Sequence, residues 1–306
     1  MTTSHAPTLS TPAPTGLRRA MRQHPLLFFF LIAYAFSWIT LIPFILAGWG
    51  ILPTAMFYNI FFIVKSFGPA LAAYIIIRVT EGKEGLHDLR RRLTQWRAGW
   101  QWYLFILLGV PALMLLGICA LPGALASFRG LPPYAAASYL ISFVIIALGG
   151  GPLGEEPGWR GFALPRMQSR YGALRANLLL GVMWTFWHLP DFLTSAQKGG
   201  AGTDLSVFYV GLPVFFLEVM ALVFVFTWVF NHTGGSVLIA IILHASYNTF
   251  GTAAQPLFSA PSVTGTDLPF AIGMGVLALL ILLLTRGQLG YRPGRESPLS
   301  LGHVEA

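Results

Sequence analysis

Apolar residues along the chain gather into runs of about 20, the length that carries a helix across ~30 Å of hydrocarbon at 1.5 Å per residue. Eight such runs stand out, over 26–48, 56–79, 101–122, 136–157, 174–193, 207–230, 235–251 and 268–285. The expected fold is an all-α polytopic membrane protein with about eight transmembrane helices. The fourth run ends at Pro157-Gly158, and Pro165 follows. If that helix continues toward Arg170, it does so kinked or broken, because proline removes a helical hydrogen bond.

Polar positions between the runs orient the bundle. With a cytosolic N-terminus, all 19 Lys and Arg fall in inside segments except Arg129 and Lys198, in outside loops, and Lys65, within a span. That asymmetry is the one the positive-inside rule describes, and it supports an even span count with both termini inside. Residues 1–25, rich in Thr, Pro and Ser before a basic cluster, read as a disordered cytosolic tail, and 286–306 as a basic cytosolic tail. The apolar run from residue 26 is too long for a signal-peptide core and stays as the first helix. Between the second and third spans, Leu86, Leu89, Leu93 and Trp96 recur at helical spacing among arginines, which predicts an amphipathic helix anchored on the inner leaflet.

Composition agrees with this reading. Of the 306 residues 55% are hydrophobic and only 10% charged, against about a quarter charged in ordinary soluble domains. The mean hydropathy of +0.68 excludes disorder, and the single Cys119 excludes a disulfide scaffold. The net charge of +8 does not point to nucleic acid, because the basic residues punctuate apolar runs instead of forming one patch.

Against this background the ionisable residues inside spans carry the information, since each costs at least ~2.5–3.5 kcal/mol in hydrocarbon. They are Lys65, Glu155, Glu156, His188, Glu218 and His244, with Asp191 at a helix end and Asn248 as a neutral companion. Lys65 and Glu218 read as a buried interhelical ion pair, or as the proton relay of a transporter. The remainder form three groups. Glu156 and Arg160 stand at i, i+4 and can pair, leaving Glu155 about 100° away. Trp184 and His188 share a face, and so do His244 and Asn248. Convergence of all three groups into one polar cavity accounts for them more economically than separate exposure to lipid.

In this order, E-E-x-x-x-R (Glu155, Glu156, Arg160), aromatic-x-x-x-H (Trp184, His188) and H-x-x-x-N (His244, Asn248) resemble the CPBP family of intramembrane proteases. That family includes the type II CAAX prenyl endopeptidases and the bacteriocin-processing or Abi proteins. The resemblance is strongest over residues 140–250, within an eight-helix domain over 26–285; Trp184 stands where the family more commonly has Phe. It implies hydrolysis of a peptide bond in a membrane-associated, CAAX-like or bacteriocin-like substrate, with the active site open toward the cytosol; the short connections and the lack of an organelle address point to a plasma membrane of bacterial inner-membrane type. On this reading Glu155 is the general base, His188 shares the water proton, Glu156 and Arg160 hold Glu155 in place, and His244 and Asn248 donate to the oxyanion. A zinc version places Glu155, His188 and His244 on Zn2+. The alternatives are a proton-coupled transporter and a non-catalytic immunity or scaffold protein.

Overall fold

The computed structural model describes residues 16–53, 59–196, 204–260, 262–263 and 266–293. Among these residues the chain is helical, with no strand beyond one isolated antiparallel bridge between Phe128 and Phe258. The helices are α1 (Gly16–Gln23), α2 (Pro25–Gly48), α3 (Asn59–Lys65), α4 (Gly68–Thr80), α5 (Gly82–Leu93), α6 (Trp100–Leu104), α7 (Val110–Cys119), α8 (Ala135–Leu148), α9 (Gly151–Gly158), α10 (Leu164–Tyr171), α11 (Ala173–Trp187), α12 (Leu189–Ala196), α13 (Leu212–His232), α14 (Val237–Ala254) and α15 (Leu268–Thr285). Proline opens several of them at the first turn, where its missing N–H costs nothing. The Ser236 hydroxyl caps α14 by accepting from the Ile239 amide.

Among the described residues six helical segments are long and apolar enough to cross a membrane, and α8 with α9–α10 makes a seventh if that bent pair is one span. By length, the described residues thus account for six or seven of the eight expected passes. The run over 174–193 supplies only the 15-residue α11, which stops at His188 before Leu189-Pro190 starts α12. Of the tail expected to be disordered, residues 1–15 lie outside the described residues, whereas Gly16–Gln23 are helical. The C-terminal tail is described only to residue 293.

The fourth run does continue past Pro157, through a π-helical turn over Trp159–Ala163, to Tyr171. Its sharp bend, 42°, falls earlier than the prolines suggest, between α8 and α9. Gly150 sits there at φ +130°, a backbone state open to glycine and barred to other residues. Wider π turns absorb irregularity within a helix, which lets Pro157 remain inside one. On α9, Gly154 and Gly158 face the start of α4. A Cβ on Gly158 would lie 2.5 Å from Pro69 at the start of α4, so these backbones touch. This contact fixes the height of the Glu155-Glu156 pair in the bundle.

The bundle has two distinct ends. At one lie the ends of α4 and α5, the α10–α11 corner, the turn after α13 and the end of α15, carrying Arg78, Arg90, Arg91, Arg92, Arg170, Arg175 and Arg286. That end is tied by an Arg166–Glu81 ion pair and by bonds between Gln95 and the 233–236 turn. At the other, Arg129 N donates to Leu257 O at 2.8 Å and Trp49 Nε1 to Leu193 O at 2.8 Å. The expected amphipathic helix is α5. Its Leu89 is buried and Leu86 and Leu93 pack on the protein core, so the leucine face docks on the bundle; Trp96, beyond the helix, is exposed.

Candidate active site

Three helices bring the motif residues together. Glu155 and Glu156 come from α9, Trp184 and His188 from the end of α11, and His244 and Asn248 from α14, with Phe226 of α13 behind them. Glu155, His188, His244 and Asn248 all line one cavity of about 620 Å³. The expected convergence is thus present.

Within the site the two adjacent carboxylates differ in environment. Glu155 is 5% exposed, and its Oε2 accepts from the indole N–H of Trp184 at 2.8 Å and of Trp159 at 3.3 Å. Its Oε1 makes neither bond. Glu156 is fully buried and turned away from the cavity; its Oε1 accepts from Arg160 Nη1 at 3.0 Å and from His244 Nδ1 at 2.8 Å. The predicted i, i+4 pair is therefore formed. The Arg160 guanidinium lies over Trp184 and Phe226, 4.3 Å from each ring centroid, where ring quadrupoles favour a cation.

Both imidazoles are oriented by what they donate to. His188 Nδ1 is 2.9 Å from the Trp184 carbonyl, which can only accept, so Nδ1 carries a proton. His244 Nδ1 likewise carries a proton, because its partner Glu156 Oε1 already accepts from Arg160. In the neutral rings Nε2 is then the acceptor. Trp187 and Phe215 hold the His188 ring edge to face, at 4.7 and 5.1 Å. Asn248 stands one turn beyond His244 and is only partly buried.

Other polar residues in the cavity depart from expectation. Lys65 does not pair with Glu218. Its ammonium bonds both oxygens of Asp191, at 2.7 and 2.5 Å, joining α3 to α12 beside His188. Glu218 instead accepts from the Tyr247 hydroxyl. α3 faces α12 and α13 faces α14, an arrangement that hydropathy cannot reveal. This removes the Lys–Glu relay on which the transporter reading rested. Sequence reasoning also missed Trp159 as a donor to Glu155, although the i, i+4 spacing carries that signal. Tyr247 and Asp267, which also line the cavity, left no comparable signal.

The zinc set is not assembled in this arrangement. Among the described residues no three His, Cys, Asp or Glu side chains converge as metal ligands.

The cavity runs toward the arginine-poor end. Along α14 its lining climbs from His244 through Asn248, Gly251 and Thr252 to Gln255, and it includes Asp267 at the start of α15 and Asp191 beyond α11. Toward the arginine end it is floored by Glu156, Arg160 and Phe226, none more than 1% exposed.

Fold and site together define a helical membrane protein with an acid–imidazole centre inside the bundle. Residues 137–250, which hold all three motifs, match the family of type II CAAX prenyl endopeptidase, Rce1-like. The chain is also 30% identical over 146 residues to CAAX prenyl protease 2 of Methanococcus maripaludis, an alignment covering 47% of this chain and 53% of that protein. The chain thus matches about half the length of this curated relative. The family resemblance drawn from the motifs is borne out over this segment.

Proposed function

We propose that the protein is an intramembrane endopeptidase that hydrolyses a peptide bond in a membrane-associated protein or peptide, within a plasma membrane. The observation that supports this most is the placement of Glu155, His188, His244 and Asn248 on one cavity large enough for several residues of extended chain. Hydrolysis requires a water deprotonated beside the scissile carbonyl and donors where the oxyanion forms. Glu155 Oε1 takes the water proton, with Oε2 anchored by the indoles. His188, whose Nε2 accepts, shares that proton and passes it toward the leaving amine. Asn248 donates to the oxyanion through its amide. His244, held at Nδ1 by the Glu156 carboxylate, stands beside it on the same helical face. Glu156 and Arg160 position the pair and contact no substrate.

The resemblance implied a cavity open to the cytosol; the arginine placement supports the opposite reading. The positive-inside rule puts the arginine end in the cytosol, and the cavity leads away from it. We therefore propose that the substrate segment enters from the extracytosolic half of the membrane.

The deciding experiment compares wild type with Glu155→Gln and His188→Ala on a membrane-peptide library, with and without chelator. Loss of about 10²- to 10⁴-fold is expected for removal of the base. Undiminished cleavage by Glu155→Gln would overturn the mechanism, and activity lost to chelator but restored by zinc would replace it with the metal version.

A further inference from the structure

A second cavity, of about 750 Å³, lies at the arginine end, apart from the active site. Four chain segments form it: the last turn of α5 with Gln95, the face of α10, the end of α13 with its following turn, and Gly290–Arg292 after α15. It is lined by Arg91, Arg92 and Arg292, while Phe230, Pro165 and Tyr291 give it apolar walls.

Two observations indicate an anion. The first is charge. Asp88 is shared by Arg91 and Arg92, at 2.6 and 2.8 Å, so one carboxylate faces two guanidiniums, and Arg292 adds a third. The second is Gln168 on α10. It lines the cavity at only 1% exposure, and its amide nitrogen has no acceptor among the described residues. A buried donor without an acceptor is rare in native proteins and calls for a partner from outside the chain. We propose that this cavity binds a phosphate-bearing anion, with Gln168 donating to a phosphate oxygen and Arg92 and Arg292 supplying the charge. Its position at a bundle end, with apolar walls beside the cations, suits the phosphodiester headgroup of an anionic phospholipid. The protease reading plays no part in this inference.

The test measures the thermal unfolding midpoint of the purified full chain in neutral detergent, with added phosphatidylglycerol, phosphatidylcholine or inorganic phosphate. Phosphatidylglycerol is expected to raise the midpoint and phosphatidylcholine to leave it unmoved. An equal rise with inorganic phosphate alone would assign the site to free phosphate. Gln168→Leu and Arg292→Gln should each abolish the rise, whereas Arg22→Gln, an exposed arginine on α1 outside the cavity, should retain it. If Gln168→Leu fails to fold, Arg292→Gln against Arg22→Gln still decides. Equal responses to the two lipids with none to phosphate, or equal loss in Arg22→Gln and Arg292→Gln, would overturn the proposal.

Discussion

Trp184 donates its indole N–H to Glu155 Oε2 at 2.8 Å, linking the end of α11 to α9. A hydrogen bond to a charged group contributes about 1.5–3 kcal/mol. Trp184→Phe keeps most of the ring that stacks on Arg160 but loses this donor. Its kcat should fall about ten- to a hundredfold, with KM little changed. A fall confined to KM would show that Trp184 serves substrate binding instead.

Arg160 and Glu156 are both fully buried and paired at 3.0 Å. Removing one member of a buried pair strands the other charge, at a cost of about 3–5 kcal/mol. Arg160→Met should therefore lower the unfolding midpoint sharply in detergent. The double variant Arg160→Met, Glu156→Gln should recover part of the loss. A double variant no more stable than the single would locate Arg160's role in its stacking on Trp184 and Phe226.

Asp267, just before α15, has its carboxyl held above the ordinary 3.8 by burial. A carboxyl whose folded-state pKa is raised favours folding below the ordinary value and loses that contribution as pH rises through the raised one. At neutral pH the buried charge thus weighs against the fold. Asp267→Asn should be more stable than the parent near neutrality, with the advantage shrinking toward about pH 4. Unfolding midpoints across that range check the sign, and an advantage that grows as pH falls would contradict it.

Cavity orientation can be read without enzymatic activity. In a Cys119→Ala background, Thr252→Cys, exposed at the cavity's arginine-poor end, should react with a membrane-impermeant maleimide in intact cells. Thr94→Cys, exposed beyond α5, should react only after permeabilisation. If Thr252→Cys is shielded, Ser259→Cys in the exposed loop at the same end gives the same reading. The reverse pattern would return the cavity to the cytosol.

Much of this architecture was legible in the chain. Apolar run length and the segregation of arginine set helix content and polarity, because hydrocarbon thickness and membrane charge asymmetry act on any stretch of sequence regardless of its neighbours. The Glu156–Arg160 pair and the shared faces of Trp184 with His188 and of His244 with Asn248 were equally readable, since 3.6-residue periodicity is local. The bend was misplaced because proline is a conspicuous breaker, whereas the positive φ of Gly150 arises only when α8 and α9 pack in different directions.

Other features depended on which helices became neighbours. Sequence offered Glu218 as the partner of Lys65, whereas α3 packing beside α12 chose Asp191. His244 was free to face substrate until the approach of α9 and α14 gave its Nδ1 to Glu156. The direction of the cavity is likewise invisible in hydropathy, because it results from where several helices stop short of touching. Periodicity and charge placement act along one chain segment at a time, so the sequence alone determined the helices, their faces and the arginine-rich end; pairing, tautomer and access are properties of distances between segments, and only the packed structure decided them.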